Sequence, residues 1–141
     1  SPNQHDVDSK NNLSCVLKVS NNQGSVLLTG DIERAAEKRL VERYPASLNA
    51  TILVAPHHGS KTSSSLPFIN AVKPKLVLIP AGYRNRYHFP HIKVLKRFQQ
   101  QKIPVFSTAD YGAMSIQFNE NELSVLSSWR DKTRKIWTNP N

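Results

Sequence analysis

One cysteine, Cys15, is all the thiol that this chain of 141 residues carries. It cannot form an internal disulfide, and a cysteine-based zinc site is excluded. Cys15 sits in an apolar strand pattern and is expected to be a buried, inert thiol. Acidic residues are also scarce, with 10 Asp and Glu against 19 Lys and Arg, a formal net charge of +9. That imbalance favours a polyanionic partner, either nucleic acid or an anionic membrane surface. No apolar run approaches the roughly 18 residues that a membrane span requires. The opening Ser1-Pro2-Asn3-Gln4-His5-Asp6 is polar and unlike a signal peptide. An initiator Met is missing as well, which suggests a piece of a longer protein. The hydrophobic fraction of 38% is lean but sufficient for one globular domain with a core.

Residues 1–12 are polar, lack periodicity and read as a disordered lead-in. Residues 13–127 read as one domain, and residues 128–141 as a basic tail. Leu13 to Val19 and Ser25 to Thr29 flank Asn21-Asn22-Gln23-Gly24 and suggest a hairpin. A helix is expected from about Ile32 to Tyr44, with Ile32, Ala36, Leu40 and Tyr44 forming its apolar stripe. Arg34, Glu37, Lys38 and Glu42 fall outside that stripe. Further strands are expected at Thr51–Ala55, Lys75–Ile79 and Pro104–Ser107, with helices ending at Val72 and spanning His91 to Gln101. Met114–Phe118 and Leu123–Leu126 suggest a closing hairpin. Helices alternating with buried strands, and hairpins at both ends, argue for an α/β fold with a mixed sheet and flanking helices.

Three segments carry candidate chemistry. Gly30-Asp31 follows an apolar strand, where a carboxylate can bridge two divalent ions or cap the next helix. His57-His58-Gly59-Ser60 follows the apolar Thr51–Ala55, which places imidazoles on a loop at a strand end. On an extended backbone the two rings would point apart, so at most one is expected to ligate a metal directly. The third segment is Asn85-Arg86-Tyr87-His88-Phe89-Pro90-His91. Asp31, His57, His58 and His88 are the candidate metal ligands, and His57 and His58 the candidate catalytic groups. Ser60, Lys61, Thr62, Arg84, Asn85 and Arg86 are candidates for binding phosphate. In the tail, Trp129-Arg130-Asp131-Lys132-Thr133-Arg134-Lys135-Ile136-Trp137 interleaves aromatic and basic residues, a pattern suited to unpaired bases or to docking on the domain.

The segments Leu27–Glu33, Pro56–Ser64 and Asn85–Pro90, in this order, resemble the ComEC competence proteins. They look like the second half of the C-terminal metallo-β-lactamase-like domain of those DNA-uptake channels. The resemblance implies a half or partial αββα sandwich with a metal site at the sheet edge. It also implies metal-dependent hydrolysis of phosphodiesters in the non-transforming DNA strand, with zinc or manganese. Asp31 then matches the metal-bridging aspartate, and Phe89 stands where many relatives carry the histidine of Gly-His-Pro. The superfamily's His-x-His-x-Asp-His motif is absent from the chain. The fragment alone is therefore expected to be inactive and to bind metal weakly or not at all. Its expected partners are DNA, the remainder of the parent channel protein and, through exposed apolar surface, a second copy of itself. The implied setting is the inner membrane, with the domain on the extracytoplasmic side. A DNA-binding module without chemistry is the alternative, and a hydrolase for a small phosphate or ester is a third.

Overall fold

The computed structural model describes residues 9–118 and the backbone of residues 123–128. Of the basic tail expected at residues 128–141, Ser128 instead ends a strand, and the rest lies outside the described residues. Strands β1 (Leu17–Ser20) and β2 (Ser25–Leu28) pair antiparallel, with Leu17 opposite Leu28. The Asn21 side chain closes their turn by accepting from the Gln23 and Gly24 amides at 2.9 Å. Helix α1 (Arg34–Arg43) then leads to β3 (Ile52–Val54), α2 (Leu66–Val72) to β4 (Leu76–Ile79), and α3 (Ile92–Gln100) to β5 (Val105–Ser107). A short helix, α4 (Thr108–Tyr111), precedes the antiparallel pair β6 (Met114–Phe118) and β7 (Leu123–Ser128).

The main sheet runs in the order β1-β2-β3-β4-β5, with β2 to β5 parallel. Parallel neighbours require crossover connections, and such crossovers are right-handed. Three crossovers stepping in the same direction place their helices on the same face. The packing agrees. Leu27, Leu53 and Val77 align in register and share one core with Ala36 of α1, Phe68 and Val72 of α2, and Val94 and Phe98 of α3. Along the opposite face run Val26, Ile52 and Leu76, and beside them Leu28, Val54 and Leu78. Parallel sheets ordinarily have both faces covered. Here Leu17, Val19 and Leu28 remain 53%, 54% and 39% exposed. The architecture is thus the expected mixed α/β sheet with flanking helices, a partial sandwich whose second face is open at its β1–β2 side.

Several local expectations change. Cys15 is exposed rather than buried, because β1 starts only at Leu17 and forms the uncovered edge. Helix α1 begins at Arg34, so its cap position is Glu33 and not Asp31. Residues Lys10–Leu13 form a 3-10 turn, and the buried Asn12 accepts from the Glu33 amide at 2.9 Å. Glu37, outside the apolar stripe, is fully buried.

Candidate active site

Because β2 to β5 are parallel, their carboxyl ends meet at one edge of the sheet, where α/β folds gather ligands. Asp31 follows β2, His57 and His58 follow β3, and the Pro80–Phe89 loop follows β4. Gly30 makes the first turn, with φ +55°. A Cβ there would lie 2.9 Å from Ser14 Cβ, so only glycine fits. The Gly30 carbonyl accepts from the His57 amide at 3.0 Å, tying the aspartate turn to the histidine loop.

His57 and His58 do not sit on extended backbone. Both take left-handed φ, at 49° and 55°, inside the 3-10 turn Pro56–Gly59. The rings therefore stay together, with centroids 6.4 Å apart, and both meet Phe89. The loop that follows is fixed from within. His57 Nδ1 lies 3.2 Å from Glu33 Oε1. Thr62 Oγ1 donates to that same oxygen at 3.0 Å, and Ser60 Oγ lies 3.0 Å from Thr62 Oγ1. Deeper still, Glu37 accepts from the amides of Ser64 and Ser65, the latter at 2.9 Å, and so caps α2 from another helix. Arg97 completes this set by donating to the Ser63 and Ser64 carbonyls at 2.7 and 3.0 Å. Burial pushes the Glu37 carboxyl above its usual range, outweighing those hydrogen bonds and the charge of Arg97.

Facing solvent is a cleft of about 640 Å³ lined by Asp31, both histidines, Asn85, Tyr87 and Phe89, among others. His58 Nδ1 lies 2.7 Å from the Pro80 carbonyl oxygen. A carbonyl only accepts, so Nδ1 carries a proton and Nε2 is left for the cleft. Nε2 lies 3.4 Å from Asp31 Oδ1, and the two side chains are 48% and 46% exposed. The two atoms are close enough to ligate one cation between them. Two donors each about 2 Å from a tetrahedral ion stand roughly 3.3 Å apart. Asp31 and His58 thus suit two places around one metal. Among the described residues, no group of three or more His, Cys, Asp or Glu side chains could hold an ion by itself.

The other candidates lie as follows. His88 is exposed at φ 53°, its amide donates to Asn85 O at 3.1 Å, and it is not among the cleft's lining residues. Asn85 holds its own loop, donating to the Gly82 and Phe89 carbonyls at 2.9 and 2.8 Å and accepting from the Phe89 amide. Lys61 is exposed, and its carbonyl accepts from Arg34 Nη2 at 2.9 Å. Arg84 and Arg86 are exposed and lie over the Tyr83 and Tyr87 rings at 5.3 and 4.8 Å. Glu33, Glu37 and Arg97 were not singled out from the sequence. Glu33 had a visible signal, since it alternates with Asp31 after the Thr29-Gly30 turn. Glu37 and Arg97 had none, because their partners are backbone groups distant in the chain.

No protein-family model matches the chain. It is 40% identical over 136 residues, 96% of its length, to the uncharacterized protein YcaI of Escherichia coli. It is 40% identical over 127 residues to ComE operon protein 3 of Bacillus subtilis, covering 90% of this chain. Competence protein ComA of Neisseria gonorrhoeae is 39% identical over 104 residues, 74% of this chain. The chain spans only 18%, 16% and 15% of the length of these relatives, respectively.

Proposed function

The chain belongs to the ComEC family of competence proteins as one segment of their length, and from that premise we propose that it forms one side of a metal-dependent nuclease centre in a DNA-uptake protein. The observation that carries the reading is the Asp31–His58 pair at 3.4 Å, with the His58 tautomer held by Pro80. A ligating histidine commonly has its other ring nitrogen fixed in this way. A divalent ion at the pair, manganese or zinc, would supply a hydroxide nucleophile at neutral pH and charge neutralisation for phosphodiester hydrolysis. The chain's own residues do the rest. Asp31 and His58 hold their two places, His57 and Glu33 keep the loop in shape, and Lys61, Arg84 and Arg86 draw the phosphate backbone to the cleft.

The remaining donors are proposed to lie in the preceding part of the parent protein, packed on the open sheet face at Leu17, Val19 and Leu28. Alone, the chain is proposed to bind metal weakly, to be inactive, and to bury that face against a second copy. Among the described residues no helix is long and apolar enough to cross a membrane. Anchoring in the inner membrane, with this domain on the extracytoplasmic side, is proposed for the parent protein.

The test is cleavage of labelled DNA in manganese by the parent domain, including its preceding sequence. Asp31→Ala is expected to lower the rate at least about 100-fold, since loss of second-shell partners alone costs up to about that much. An unchanged rate would sink the nuclease reading. A second reading, a DNA-binding module without chemistry, is favoured by the exposed arginines over Tyr83 and Tyr87. It predicts steeply salt-dependent DNA affinity with no cleavage.

A further inference from the structure

From the cleft outward, His58, Phe89 and Tyr87 form a column of near-parallel rings. Phe89 stacks on His58 at 6.5 Å with 23° between planes, and Tyr87 stacks on Phe89 at 5.6 Å with 21°. The outermost ring, Tyr87, is 58% exposed. Arg86 lies over it at 4.8 Å and donates to its hydroxyl. The loop beneath is rigid for its length, because Asn85 bonds both Gly82 and Phe89. The column thus runs outward from Asp31 to a ring capped by Arg86, and a base stacking on Tyr87 takes the place of that guanidinium.

We infer that Tyr87 and Phe89 form a platform for unpaired bases, so that the cleft selects single-stranded over duplex DNA. The inference rests on the reading above that DNA is the ligand. A duplex hides its base faces in its own stack, whereas a single strand offers them to aromatic side chains. Each base stacked on such a ring contributes roughly 1–3 kcal/mol, about 5- to 150-fold in affinity. Arg84 and Arg86 supply the phosphate contacts, and these are blind to strand number. Arginine alone would hold duplex and single strand alike; only the ring column distinguishes them.

The test is binding of the full chain to a labelled 15-nucleotide single strand and to the matching duplex, in EDTA so that no cleavage intervenes. A 2-aminopurine in the strand reports stacking by quenching. The expected result is tighter binding of the single strand and quenched 2-aminopurine. Tyr87→Ala should lose about 10-fold in single-strand affinity and the quenching, Tyr87→Phe should retain both, and duplex affinity should stay unchanged in each. Equal loss on both DNAs, no loss with Tyr87→Ala, or no binding of the single strand would overturn the platform. Platform and nuclease readings fail separately. Tyr87-dependent binding with a metal-indifferent, inactive parent domain leaves the platform and removes the nuclease. An Asp31-dependent nuclease whose strand preference ignores Tyr87 does the reverse.

Discussion

The two sides of the His57-His58 loop are built differently. On the inner side, carboxylates are spent on structure. Glu33 takes His57 and Thr62, and Glu37 takes the two amides that open α2. These groups are buried or nearly so, and their partners are fixed. On the outer side, Asp31 and His58 are about half exposed and face each other, with no other ion pair or hydrogen bond to a side chain in the described contacts. Neighbouring residues of one type thus serve two ends. Both rings line the cleft, but the left-handed turn brings His57 Nδ1 to Glu33 beside α1 and leaves His58 Nε2 facing Asp31 at the sheet edge. The contrast teaches that histidine identity at a strand end does not assign chemistry; the partner of each ring nitrogen does.

The contrast can be broken most strongly at Glu37. Glu37→Ala leaves one buried and one half-buried amide without an acceptor and is expected to cost about 3 kcal/mol in urea denaturation. The pH dependence of the same site should follow. A carboxyl raised by burial holds its proton more tightly in the folded than in the unfolded protein. Its contribution to stability is full below the ordinary value of 4.5 and is lost as the pH rises through the folded value. The stability of the wild type relative to Glu37→Gln should therefore decline as pH rises from 4.5. A flat difference would mean that the hydrogen bonds from Ser64 and Ser65 offset burial, and a rise that they outweigh it. His57→Ala should cost about 1 kcal/mol through its Glu33 contact. His58→Ala should change stability by less than about 0.5 kcal/mol, as surface changes do. Equal costs for the two histidines would erase the distinction between scaffold and cleft.

Much of this was legible in the sequence. The apolar runs before Gly30, Pro56 and Pro80 are the central strands, and their parallel pairing brings Asp31 and the histidines to one edge. What was not legible depends on tertiary partners. Glu37 lies next to Ala36 on a helix whose stripe steps by four, so it reads as solvent-facing; the orphan amides of α2 make it a core residue. Tyr44 shows the converse, closing the apolar stripe yet standing 55% exposed. The left-handed His57 and His58 contradict the extended backbone from which opposite ring directions were expected. Cys15 reads as a core strand residue only if the strand begins before Leu17.

The most direct measurement is a zinc titration of the chain followed by the nitrogen-15 shifts of its imidazoles. The account predicts that His58 Nε2 moves on binding while Nδ1 keeps its proton, that His57 stays still, and that Asp31→Asn weakens binding by about 10- to 100-fold. Movement of the His57 nitrogens, or an identical titration in Asp31→Asn, would contradict it.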